Sequence, residues 1–122
     1  METFDVASLE EARAEVQRRT GELYLEILRR DSMSCGLYVL EAGATDPQEP
    51  HQQDEVYLVL GGRARLRAGD RDDPVGPGSV AFVARNVPHR FYDITDALEV
   101  MVFFAPAEYS RGAKGPGAGA AR

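Results

Sequence analysis

Two histidines, His51 and His89, are the only imidazoles in the 122-residue chain, and each stands beside a proline where strand-like alternation begins. In an extended segment alternate residues face the same way, so Glu49, His51, Gln53 and Glu55 share a face that Tyr57 and Val59 continue. Imidazole nitrogen with carboxylate oxygen is a ligand mixture for divalent iron, manganese, nickel, copper or zinc, and two histidines with one carboxylate leave positions open for a substrate. His89, with Phe91 and Asp93 on its face, is placed to supply the second imidazole. By spacing alone a proline-flanked histidine at a strand start is more often a turn residue, so residue type and parity by themselves favour that reading over a ligand. No nucleophilic constellation competes. Cys35 alternates with the apolar Leu37 and Val39, which predicts an inert buried thiol, and there is no glycine-rich phosphate loop or paired-cysteine motif.

The elements that must position these groups are short. Leu9, Ala12 and Val16 form one helical stripe, and Ser8 followed by Glu11 is a capping box, which together predict a helix over 8–19. After Gly21 the period changes to two, predicting strands over 22–29, 34–41, 55–60, 63–68, 79–83, 89–94 and 98–104. Turn signals separate them at 43–50, 61–62, 69–74, 76–78, 86–88 and 95–96. No segment is available for a helical crossover, so the fold class is all-β, an antiparallel sandwich or barrel with a short N-terminal helix. Candidates to line its interior are Tyr38, Tyr57, Val59, Phe82, Phe91, Met101 and Phe103. Tyr57, in phase with Glu55, is the candidate catalytic residue among them. Arg63, Arg65 and Arg67 alternate with Ala64, Leu66 and Ala68, which reads as the solvated outer face of one strand.

Length and charge bound the rest. A chain of this size holds one ordinary core, organised as a helix and flanking strand over 1–33, a barrel over 34–109 and a tail over 110–122 whose glycine, alanine and basic composition predicts disorder. Fourteen basic against twenty acidic residues leave a net charge of −6, which argues against a nucleic-acid partner. The longest apolar stretch, 100–107, is far below the roughly 20 residues needed to span a bilayer, so no membrane role is expected. A single cysteine and an N-terminus without basic and apolar leader regions point to the cytoplasm. Uncovered sheet edges invite pairing, and a homodimer through strand contacts is expected, with 8–30 helping to cover an edge.

The stretches 43–62 and 78–93 resemble the two motifs of the cupin superfamily, in particular small single-domain cupins. The first motif pairs two histidines one residue apart, followed by a glutamate and then a glycine; here Glu49 takes the first histidine position, His51 the second, Glu55 the glutamate and Gly62 the glycine. In the second, Gly78 opens the strand, Ala84 and Asn86 stand where proline and glycine are usual, His89 matches the histidine, and Asp93 falls where asparagine is common. The resemblance covers about residues 34–105. It implies a double-stranded β-helix, or jelly roll, with a divalent ion (Fe, Mn, Zn or Ni) inside the barrel, held by His51, Glu55 and His89 with Glu49 as a further carboxylate. It also implies a small-molecule ligand and frequent homodimers. Such a site fits a dioxygenase- or isomerase-like enzyme acting on a small oxygen-rich molecule; the alternatives are a non-catalytic small-molecule-binding cupin and a metal-free dimeric scaffold.

Overall fold

In the computed structural model the described residues are 4–19, 23–48 and 50–108. Glu49 and the 110–122 tail lie outside them. The helix α1 (Leu9–Arg18) begins where its capping box places it, with Ser8 Oγ accepting the Glu11 N–H at 3.2 Å. The strands are β1 (Tyr24–Arg30), β2 (Met33–Leu40), β3 (Asp54–Ala68), β4 (Arg71–Val75), β5 (Val80–Val83) and β6 (His89–Ala105). All pair antiparallel, in the order β1-β2-β6-β3-β4 with β5 also on β3. No helix among the described residues is long and apolar enough to cross a membrane.

Three of the expected turns are not turns. Gly61 and Gly62 lie inside β3, Thr95 and Asp96 lie inside β6, and β4 occupies most of 69–74. Pro74 is tolerated there because β4 pairs only with β3 and an edge strand has a side that needs no donor. The other two interruptions face each other. β3 and β6 form one long hairpin whose register slips three times, between Val59 and Gly61, Gly61 and Arg63, and Arg63 and Arg65. Extra residues in a ladder bend it and shift the phase of its side chains. In β3 the buried series passes from Glu55, Tyr57 and Val59 to Ala64 and Leu66; in β6 it passes from His89 and Phe91 to Ile94, Leu98, Val100, Val102 and Phe104. Asp93, at φ 50°, carries the shift in β6.

This change of phase corrects the expected lining. Tyr38, Tyr57, Val59 and Phe91 are buried in the core as predicted. Met101 and Phe103 are only half-buried and alternate with the buried Val100, Val102 and Phe104. They point outward because the residue added at Asp93 sets Val100, Val102 and Phe104 to the inside. Phe82 also faces out, opposite Val56 of β3.

The bend folds the hairpin across itself into a double-stranded β-helix. One half joins β1, β2 and β5 to the N-terminal part of β3 and the C-terminal part of β6; the other joins β4 to the remaining parts. Apolar side chains from both halves meet in a single core. Outside the second half, Arg65 and Arg67 pair with Asp72 at 2.9 and 3.0 Å, and Tyr92 hydroxyl donates to the same carboxylate. This is the solvated arginine face expected from the alternation. Outside the first half, α1 rests on β1 and β2 and Arg13 makes two hydrogen bonds, of 2.8 and 2.7 Å, to Glu99 of β6.

Gly62 is the residue the bend requires. Its φ is +89°, and a Cβ there would sit 2.2 Å from the Ala97 carbonyl oxygen. Gly62→Ala is expected to lower unfolding free energy by about 3 kcal/mol or more, combining left-handed strain with a backbone clash. Gly61→Ala, whose Cβ meets nothing within 4 Å, should cost less than about 1 kcal/mol. Urea unfolding of both variants checks this, and equal losses would contradict the role given to Gly62.

Candidate metal centre

Folding the hairpin over brings the two ends of the site together. Glu55 is the second residue of β3 and pairs with Phe104, whereas His89 opens β6 and pairs with Ala68 at the far end of β3. Neighbours in the ladder they are not. The bend nonetheless sets one half over the other, and His89 Nε2 lies 3.2 Å from Glu55 Oε2. His51 arrives from the segment before β3. Its carbonyl accepts the Asn86 N–H at 2.6 Å, and its ring meets Phe104 edge-on at 5.2 Å. Asn86 adopts φ 65°, a left-handed conformation that asparagine tolerates better than most residues. That tolerance explains how it can stand where glycine is usual.

One donor atom from each of His51, Glu55 and His89 lies within 4.8 Å of the other two. The residues are 5%, 2% and 7% exposed. The expected site residues that are described therefore converge; Glu49 lies outside the described residues. Two imidazoles and a carboxylate form a donor set suited to a divalent transition ion. His89 is oriented for it: Nδ1 donates to the Val87 carbonyl at 2.8 Å, which leaves Nε2 as the nitrogen with an available lone pair. Glu55 is oriented too, since Tyr57 hydroxyl donates to Oε1 at 3.0 Å while Oε2 faces His89. The Tyr57 ring packs edge-on against Phe91 at 5.0 Å and lies 6.0 Å from the His89 ring.

Behind this set lies a carboxylate absent from the residues singled out in the sequence. Asp46 is buried and accepts the Tyr38 hydroxyl, the Phe91 N–H at 2.8 Å and the Gln48 side-chain amide at 2.8 Å. Gln48 Oε1 in turn lies 3.4 Å from the Tyr57 hydroxyl. The network ties the 41–53 loop, which carries His51, to β2 and β6. Burial pushes the Asp46 carboxyl above its ordinary range, against the opposing pull of Tyr38, Phe91, Gln48 and His89. In the sequence Asp46 stands before a proline and reads as a turn residue. No local signal shows that it points inward.

Comparison with known proteins places this architecture. Residues 36–106 match the family described as the cupin domain. A Streptomyces coelicolor protein described as uncharacterised is 47% identical over 100 residues, covering 82% of this chain and 94% of that protein. Among solved structures, a Thermus thermophilus protein superposes with a TM-score of 0.71 at 21% identity, covering 85% of this chain and 99% of the other. The DMSP lyase DddQ of Ruegeria pomeroyi superposes with a TM-score of 0.59 at 25% identity, covering 62% of this chain and 39% of the lyase.

The charges of the site set a pH dependence. Burial is the largest influence on His89 and by itself disfavours the imidazolium, but the adjacent Glu55 carboxylate, with the Val87 carbonyl and Asp46, outweighs it and raises the pKa above 6.5. The folded state thus holds the proton more tightly than the unfolded chain. In chelator-treated protein the resulting stabilisation is present below pH 6.5 and is lost as pH rises through the raised value. Glu55→Gln removes the main opposing charge and is expected to flatten this slope. Urea midpoints between pH 5 and 9 for both proteins measure it; a wild-type midpoint that rises with pH over this window would refute the assignment.

Proposed function

We propose that this chain, which belongs to the cupin family, is a metal-dependent protein that holds one divalent ion through His51, Glu55 and His89 and acts on a small oxygen-rich molecule. The observation that carries this reading is the convergence of three buried donor atoms within 4.8 Å. An isolated carboxylate at this depth would be strongly disfavoured, and a cation offers it a partner of higher charge than an imidazolium. Glu49, two residues before His51, is the proposed additional carboxylate of the shell. A divalent ion bound by such a set supplies Lewis-acid polarisation of a substrate oxygen.

The chain's own groups do the rest. Tyr57 fixes the Glu55 carboxylate and holds a phenol proton beside the site, where it can donate to or accept from a ligand oxygen. Val87 fixes the tautomer of His89. Phe91 and Phe104 make the surroundings apolar, which strengthens each polar contact inside. A dioxygenase- or isomerase-like activity is the reaction class that suits this arrangement, and the likeness to a lyase supports an enzymatic use of the barrel. The protein is proposed to work in the cytoplasm, without nucleic acid or membrane.

Elemental analysis of protein purified without added metal is expected to find about one divalent ion per chain. In the His51→Ala/His89→Ala double variant it should fall to background, and the stabilisation by added metal, about 2.7 kcal/mol at a hundredfold excess over the dissociation constant, should vanish. Unchanged metal content in that variant would refute the centre. Because the imidazoles must be neutral to donate, metal affinity should rise with pH over the range in which the metal-free protein loses stability.

Glu49 and Tyr57 are separable by titration calorimetry. Glu49→Gln is expected to weaken manganese binding, and Glu49→His to move preference toward softer ions such as zinc, because a charged oxygen donor favours hard cations. Two variants with wild-type affinities would remove Glu49 from the shell. Tyr57→Phe should retain the metal while lowering affinity or turnover for any ligand whose oxygen meets the phenol.

A further inference from the structure

Around the Tyr57 hydroxyl, acceptors outnumber donors. The phenol carries one proton. Among the described residues two oxygens are within its reach, Glu55 Oε1 at 3.0 Å and Gln48 Oε1 at 3.4 Å. The shorter contact, to a carboxylate, takes the proton, because a charged acceptor makes the stronger bond. The Gln48 carbonyl is left facing the phenol oxygen, acceptor against acceptor.

A glutamine in water relieves such a conflict by turning its amide over, which exchanges Oε1 for the Nε2 donor. Gln48 is held against that turn. Its Nε2 donates to Asp46 Oδ2 at 2.8 Å, and the same oxygen accepts the Phe91 N–H at 2.8 Å. Asp46 Oδ1 accepts the Tyr38 hydroxyl. The carboxyl group is thus buried and tied to β2 and β6, with Oδ2 fixed as an acceptor by a backbone group that can only donate. Turning the amide over would set its carbonyl against that oxygen and strand an acceptor in the interior, where the penalty is larger than at a surface. The conflict at Tyr57 is therefore built in, and its direction is set: the surplus is of lone pairs.

We infer that Gln48 is a specificity-determining residue of the site, and that it selects a ligand carrying a hydroxyl group beside the oxygen that meets the ion. The inference rests on the metal centre proposed above. Tyr57 joins the two parts, since its hydroxyl touches the Glu55 carboxylate on one side and Gln48 on the other. A ligand hydroxyl supplies the missing donor to Gln48 Oε1. A ketone, ether or ester oxygen at the same place adds one more acceptor and is disfavoured. The oxygen-rich ligand is accordingly an α-hydroxy carbonyl compound or a vicinal diol, and because Asp46 already orients the amide, little ordering is left for binding to accomplish.

Hydroxyacetone and its methyl ether, methoxyacetone, are matched probes for the zinc-loaded full chain, since they share the carbonyl and differ at the hydroxyl. NMR titration is expected to give a dissociation constant for hydroxyacetone at least about tenfold below that for methoxyacetone. Gln48→Met keeps the length of the side chain and removes both amide contacts. It should bring the two constants within about threefold of each other by weakening hydroxyacetone alone, whereas a merely structural role would weaken both probes together. A ratio that is the same in both proteins, a parallel loss of both probes, or a zinc-loaded protein that binds neither overturns the inference and leaves the metal centre standing. A chain that takes up no zinc overturns the centre and the inference with it.

Discussion

A single steric constraint organises the molecule: the β3–β6 hairpin must turn across itself where Gly62 meets the backbone of Ala97. Only a residue without a Cβ fits there. The bend changes which residues face inward on β3, the irregularity at Asp93 does the same on β6, and together they decide the composition of the core. Val59 and Leu66 lie on opposite phases of one strand, as do Phe91 and Val100 of the other, yet all four are buried together. Without the change of phase, one half of each long strand would turn its apolar side chains to water and its polar ones to the core.

The site depends on that bend more than on any local feature. Glu55 and His89 stand at opposite ends of the paired ribbon, and their 3.2 Å approach exists only because the ribbon closes. Desolvation makes such an approach costly unless each group is held and partnered. The surrounding contacts do this: Val87 holds one imidazole, Tyr57 holds the carboxylate, and Asp46 fastens the loop that delivers His51. The raised pKa of His89 and the crowding of donors have a common origin, a carboxyl group placed in an apolar interior beside an imidazole.

The two outer faces answer the same requirement in different ways. Over the second half-sheet, Arg65, Arg67, Asp72 and Tyr92 share their charges and hydrogen bonds at the surface. Exposed pairs of this kind add little stability, but they keep the face compatible with water. Over the first half-sheet the outward Val80, Phe82, Met101 and Phe103 are apolar, and α1 covers only one end. One protein thus carries a polar outer face and a largely apolar one, on either side of a common core.

Much was legible in the sequence because it depends on near neighbours. The Ser8 cap, the period of two after Gly21, the inward phase of His51, Glu55 and Tyr57, and the outward arginines all follow from local stereochemistry and alternation. The double-stranded β-helix itself came from the likeness of 43–62 and 78–93 to the cupin motifs. Other features required the folded chain. Paired glycines at 61–62 and the polar pair at 95–96 carry the same local signature whether a strand ends or bends, and only the partner strand shows which. Apolar character alone therefore made Met101 and Phe103 candidates for the interior, where the folded chain places Val100, Val102 and Phe104 instead. Asp46 looked like a turn residue because its three partners, Tyr38, Phe91 and Gln48, lie on different elements or turn inward only in the closed loop. Local sequence determined which residues alternate and where turns are permitted; contacts between residues distant along the chain decided the phase of the long strands and the meeting of His89 with Glu55, because closure of the barrel is a property of the whole ribbon and not of any segment within it.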